Sequence, residues 1–155
     1  MFKRFVSYYK PHLGLFILDM LASLLVSLIG LVYPMITRKM MDVWAPEGNT
    51  RFLLIFGFAL FGLYFIRMLL KFFIQYYGHM IGTKMQAQMR SDMFKKLQKL
   101  PYAYYDDHET GKIMSRMTND LQQVSELAHH GPENVLIAGF TLIGGVTYLL
   151  LINYI

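Results

Sequence analysis

Residues 104–120 read YYDDHETGKIMSRMTND, a polar and aromatic stretch that lies between two long apolar segments. It opens with paired tyrosines and acids, reaches a glycine at Gly111 and continues into residues suited to a helix. A solvated turn does not need clustered tyrosines, whereas a large rigid ring at an exposed tip suits a protein interface. The chemistry alone leaves two interpretations open: a docking surface for a partner protein, or tyrosines that cap a helical core.

The flanking sequence is apolar enough to cross a membrane. The chain is 55% hydrophobic and 16% charged, whereas a typical soluble domain is roughly 25% charged. Three segments reach the length of about 20 residues that a membrane helix needs; they are 13–36, 52–77 and 132–155. A lone strand would leave its backbone polar groups unsatisfied in lipid. We therefore predict an all-α membrane protein with three long transmembrane helices.

The basic residues predict the orientation of these helices. Lysine and arginine stand without acidic residues in an N-terminal elbow at about 1–12 and are most numerous in the segment 78–131, whereas the three in the segment 37–51 are offset by Asp42 and Glu47. Cytoplasmic loops carry the excess of positive charge. We expect the N-terminus and residues 78–131 to be cytosolic in a plasma (inner) membrane. The net charge of +5 is thus explained by topology and does not indicate a nucleic-acid partner.

The cytosolic segment has helical periodicity on both sides of residues 104–111. Apolar residues recur every four positions before it, at Ile81, Met85, Met89, Met93 and Leu97, and at 3-4 spacing after it, at Met114, Met117, Leu121, Val124 and Ala128. This spacing predicts a helix that extends from span two to Leu100, where Pro101 ends it. We expect an antiparallel hairpin, in which Thr110-Gly111 supplies a turn residue that tolerates a positive backbone φ just before a new helix. A soluble hairpin without a partner is the plainer alternative.

The arrangement resembles the first intracellular loop of ATP-binding-cassette (ABC) exporters. The features that match are an aromatic pair, an acid, a turn ending in glycine, and a hydrophobic-Ser-Arg-x-x-x-Asp helix. The resemblance covers most of the chain as the N-terminal portion of a type I transmembrane domain, with Tyr105 where the family often has Phe. It implies a coupling-helix loop that touches the nucleotide-binding domain through Tyr104, Tyr105, Asp106, Thr110 and Gly111. It also implies that Arg116 and Asp120 support this loop, by pairing with each other or with a neighbouring loop helix.

The same resemblance implies partners and cofactors outside this chain. They are a nucleotide-binding domain that holds ATP and Mg, further transmembrane helices, a second exporter half (homodimeric or heterodimeric) and the lipid bilayer. The sequence has no G-x-x-x-x-G-K-[ST] loop, since Gly111-Lys112 is followed by Ile113. We expect no enzyme activity and no catalytic, cofactor or metal residue in the chain, which reads as a fragment or a truncated product. His129 and His130 do not argue for a metal site, because adjacent residues point about 100° apart on a helix and do not converge on one ion.

Three charges inside the apolar spans, at Asp19, Arg67 and Lys71, need an explanation. A lone Asp or Arg at the centre of a span costs roughly 2.5–3.5 kcal/mol on insertion scales. We predict that Asp19 pairs with Arg67 while Lys71 snorkels to the interface. The alternatives are that all three face water in a cavity, or that Asp19 meets a cationic substrate.

For the whole chain, the alternative function is a stand-alone three-span regulator or assembly subunit. A channel subunit is less favoured because no span has a polar stripe.

Overall fold

The computed structural model describes residues 2–153, and in these residues the secondary structure is helical without strands. This confirms the predicted all-α class. The α-helices are α1 (Phe2–Ser7), α2 (Leu13–Lys39), α3 (Thr50–Leu97), α4 (Tyr102–Asp107), α5 (Thr110–Ser115) and α6 (Leu121–Asn153). A 3₁₀ turn occupies Lys10–His12, and π-helical turns occupy Met40–Trp44 and Arg116–Asp120.

Three continuous helical stretches are long and apolar enough to cross a membrane. They are Lys3–Trp44, Thr50–Leu97 and Thr110–Leu151, and each contains a strongly hydrophobic window. The large hydrophobic side chains of these stretches are widely exposed, as is appropriate for helices that face lipid or further helices. The chain is a multi-pass membrane protein.

The helix bounds differ in detail from those expected. The second long helix was expected from 52 to 100 and runs Thr50–Leu97. Helix α6 continues through Pro132 without interruption. Residues 154 and 155 of that predicted span lie outside the described residues, as does residue 1 of the predicted elbow.

Residues 2–17 and 76–132 form one compact unit, which we call the hairpin unit. Within it, the end of α3 and the start of α6 pack antiparallel. Gly82 lies against Ser125, and Gln86 donates a hydrogen bond to Gln122 (3.1 Å). A Cβ at Gly82 would lie 2.9 Å from the Ser125 hydroxyl oxygen and 3.2 Å from its carbonyl oxygen. The helices approach this closely because position 82 has no side chain.

The core of the hairpin unit lies along the seam that the periodicity predicted, but only part of the predicted seam is buried. Ile81, Met85 and Met89 are buried with Leu121 and Ala128, and Met85 is fully buried. Towards the end of the hairpin the predicted seam opens: Met93 is 37% exposed and Met114 58% exposed. The seam therefore holds the shaft together and leaves apolar side chains uncovered near its tip.

The N-terminal elbow completes this core through one buried hydrogen bond. The Tyr9 hydroxyl donates to the carbonyl oxygen of Ala128 (2.6 Å), and the Tyr9 ring packs edge-on against Phe5 and Phe16. In an α-helix the Ala128 carbonyl would accept from the amide of residue 132, but that residue is Pro132, which has no N–H. Tyr9 thus replaces the donor that the proline removes, and the helix continues through it.

Residues 18–75 and 133–153 form the second compact unit, the membrane unit. Here α2 and α3 pack antiparallel around buried Ala22, Val26 and Ile74. At the turn between them Trp44 stacks on Phe56, with ring centroids 4.4 Å apart. An aromatic cluster beside this turn suits an anchor at a membrane–water interface.

Candidate functional site

The tip of the hairpin, residues 101–111, is two short helices joined by extended backbone. Pro101 is extended and precedes α4, and His108 and Glu109 are extended between α4 and α5. Gly111 was expected to serve as a turn residue before the helix, but it lies inside α5, and within residues 2–153 only Gly48 has a positive φ. The turn is made before the glycine, by the two extended residues.

Tyr105 fixes the tip to the shaft. Its hydroxyl donates to the carbonyl oxygen of Leu97 (2.7 Å), the last residue of α3. The final carbonyls of a helix have no partner within the helix, so this bond caps α3. Tyr104 packs edge-on against Tyr105 and stacks on His108, whose Nδ1 lies 2.9 Å from the Tyr104 carbonyl oxygen. The capping interpretation therefore describes Tyr105, which is part of the scaffold of the tip.

The outward surface of the tip is aromatic and acidic. Tyr102 is 90% exposed, and Asp106, Asp107 and Glu109 are also exposed. The set of interface residues drawn from the resemblance did not include Tyr102. The signal that could have identified it is its position directly after Pro101, because α4 begins there and its first side chain faces away from the shaft.

A groove of about 240 Å³ opens beside these residues. Its lining comes from both short helices and the turns that flank α5: Tyr104, His108, Glu109, Lys112, Ile113 and Arg116. Thr110 and Gly111 are exposed next to it. The structure thus brings together the aromatic, acidic and turn residues of the predicted interface at one end of the hairpin.

Arg116 and Asp120 lie on the π-helical turn that follows α5, and both are exposed. The sequence placed them four residues apart on an α-helical face, but π-helical winding follows an i→i+5 pattern. No ion pair joins these two residues among the salt bridges of the described part of the chain. Their support of a neighbouring loop helix stays a prediction.

The two charges that were predicted to pair lie far apart. Asp19 belongs to α2, whereas Arg67 belongs to α3 and lies beside a later part of α2. Asp19 is 1% exposed. The Arg67 guanidinium lies 3.5 Å from the position that a Cβ atom added to Gly30 would occupy. It lies 5.7 Å from the ring centre of Tyr64. Gly30 is eleven residues beyond Asp19, about 16 Å along the helix axis. The structure does not bring the predicted pair together, because the antiparallel register places Arg67 opposite Gly30.

Comparison with known proteins identifies the family of this architecture. Residues 16–155 match the family model of the ABC transporter transmembrane region. The chain belongs to this family. The match includes the three long helices and the hairpin tip, and it bears out the resemblance seen in residues 104–120.

Curated relatives support the same assignment. The chain is 37% identical over 99% of its length to the Bacillus subtilis protein named "Uncharacterized ABC transporter ATP-binding protein YwjA", covering 27% of that protein. It is 27% identical over 92% of its length to the ATP-dependent lipid A-core flippase of Chromobacterium violaceum, covering 24% of it, and 30% identical over 81% to that of Idiomarina loihiensis, covering 22%. The chain spans about a quarter of the length of these relatives.

Proposed function

We propose that this chain supplies three transmembrane helices and one intracellular arm of an ATP-driven exporter, and that the hairpin tip contacts the ATP-binding domain. The observation that carries the proposal is the exposed aromatic and acidic surface at the end of a hairpin whose shaft has a buried core. A hairpin whose shaft has a packed core can transmit force from its tip, since packed cores do not deform continuously.

The tip residues divide into two roles in this proposal. Tyr102, Asp106 and the neighbouring Thr110 and Gly111 form the contact surface. Tyr105, with Tyr104 packed against it, ties that surface to the end of α3, so that movement of the tip moves the shaft. ATP and Mg²⁺ bind in the partner domain, and hydrolysis there supplies the movement.

The topology proposed for the exporter follows the distribution of basic residues. The N-terminus and hairpin are cytosolic, and the turn at Met40–Trp44 faces outward from the plasma (inner) membrane, with a second exporter half completing the pathway. A single cysteine replacing Asn49 should react with an impermeant thiol reagent in intact cells, whereas one replacing Gln98 should react only after lysis. The chain has no native cysteine, and the reverse labelling pattern would invert the topology.

Coupling is tested in the complete transporter in lipid nanodiscs by the double substitution Tyr105→Ala with Asp106→Ala. ATP hydrolysis should continue, but a spin label on the outer loop at Glu47 should no longer respond to nucleotide. Tyr76→Ala, at another exposed tyrosine of the hairpin unit, is the matched control and should leave the response intact. An unchanged response in the double variant would contradict the assignment, and purification without any ATP-binding domain would favour the regulator.

A further inference from the structure

Three histidines of the hairpin unit form a cluster away from the tip. The ring centroids are 5.2 Å apart for His79 and His129, 5.4 Å for His79 and His130, and 4.4 Å for His129 and His130. The sequence argument against a metal considered only the adjacent pair on one helix. The third ring comes from α3, about fifty residues earlier, and the antiparallel packing of α3 on α6 brings it to the other two.

Glu126 adds a carboxylate to this cluster. Glu126 lies one turn before His130 on α6, and its Oε2 is 3.5 Å from His130 Nε2. The ligand atoms of His79, Glu126 and His130 all lie within 4.8 Å of one another. The Glu126 and His130 side chains are 45% and 39% exposed, so an ion from solution can reach them. His129 differs because it is buried, and a Cβ at Gly78 would overlap its imidazole.

We propose that His79, Glu126 and His130 form a binding site for a divalent transition metal, with Zn²⁺ as the best fit, that links α3 to α6. Imidazole nitrogen and carboxylate oxygen are zinc ligands at about 2.0–2.2 Å, which places neighbouring ligand atoms of a tetrahedral ion about 3.3 Å apart. The His130–Glu126 pair already has nearly this spacing. The remaining ligand closes by a side-chain rotation that moves its nitrogen by roughly 1.5 Å, and water takes the fourth position.

Hydrogen bonds behind the carboxylate support this assignment. The Gln122 amide donates to Glu126 Oε1 (3.2 Å), which leaves Oε2 on the side of His130. Gln86, on α3, donates in turn to the Gln122 side-chain oxygen (3.1 Å). Outer-shell bonds of this kind orient metal ligands. The chain Gln86–Gln122–Glu126 therefore presents the carboxylate from the same two helices that the ion would join.

The test is a Zn²⁺ titration of the transporter that contains this chain, prepared without a histidine tag and stripped with a chelator. We expect one high-affinity Zn²⁺ per chain by competition with a chromophoric chelator. Separate variants His79→Gln, Glu126→Gln and His130→Gln should each weaken binding at least about tenfold, since loss of even an outer-shell partner costs about 10–100-fold. His108→Gln, at a histidine of the tip, is the matched control and should bind as the parent does.

Each variant is checked for helix content by circular dichroism, and three independent ligands keep the test decisive if one variant fails to fold. Weakening in the two α6 variants with none in His79→Gln would overturn the proposal, because the site would then not join the helices. Equal loss in His108→Gln, or no Zn²⁺ bound by the parent protein at micromolar concentrations, would overturn it as well.

Discussion

Removing the Tyr9 hydroxyl should weaken the hairpin unit because a proline has already taken the natural donor. In Tyr9→Phe the ring remains packed on Phe5 and Phe16, but the Ala128 carbonyl loses its 2.6 Å hydrogen bond. Pro132 offers no N–H to replace it. An unsatisfied buried acceptor costs about 1–3 kcal/mol, which corresponds to roughly a 5- to 150-fold change in an equilibrium.

The assay is labelling of a single cysteine at Ile81, which is buried in the same core, in a background without other reactive thiols. Opening of the core exposes the thiol, so Tyr9→Phe should speed labelling by the factor above. Tyr8→Phe is the matched control: it removes an exposed hydrogen bond to Asp92 (2.8 Å) and should change stability by less than about 0.5 kcal/mol.

A double-mutant cycle isolates the part played by the proline. Pro132→Ala returns an N–H to position 132, which can satisfy the Ala128 carbonyl within the helix. In that background Tyr9→Phe should cost at least about 1 kcal/mol less than it does with proline present, within the range of coupling between residues in contact. Equal costs in the two backgrounds would refute the reasoning, since Tyr9 would then act only through its ring.

Two further experiments test the two units separately: one tests the packing of the hairpin unit, and the other tests the placement of the charges in the membrane unit. Gly82→Ala should destabilise the hairpin unit by about 1–3 kcal/mol through overpacking against Ser125, as measured by the same labelling. The control is Gly62→Ala, whose added Cβ meets nothing within 4 Å and should not destabilise the protein. Equal stability of the two variants would contradict the close approach of the helices at Gly82. When Asp19→Arg and Arg67→Asp are combined, their separate effects on expression should add, because Arg67 lies beside Gly30 and not beside Asp19. Recovery of expression in the double variant would instead support the pair predicted from sequence.

The local periodicity of the chain was enough to predict the shaft of the hairpin. Ile81, Met85 and Met89 recur every four residues and are buried together. Gly78 and Gly82 weakened the expectation of a continuous helix, yet they lie where α3 meets α6 closely. A glycine in a helix costs about 1 kcal/mol relative to alanine, and packing between the helices overrides that cost. The periodicity shows which face of α3 is buried, but it does not show how closely α6 approaches that face.

Contacts between distant segments account for what the sequence argument missed. The bond from Tyr9 to Ala128 spans 119 residues, so nothing local to Pro132 indicates that α6 continues through it. The register of α2 against α3 likewise decides the neighbour of Arg67, and counting residues from the start of each span placed it wrongly. At the tip, the motif selected residues that the fold places at one end of the hairpin, but only the fold separates exposed Tyr102 from Tyr105, which caps α3.

The most direct test of the central claim is photo-crosslinking from the tip in the complete transporter. The substitution Tyr102→benzoylphenylalanine keeps an aromatic side chain at a position of α4 that is 90% exposed, and mass spectrometry identifies the peptides that it captures. The matched control is Glu47→benzoylphenylalanine, in the turn that the proposed topology assigns to the outward side. We predict that position 102 captures peptides of the ATP-binding domain and position 47 does not. Capture only of lipid, or of this chain itself, from position 102 would contradict the account.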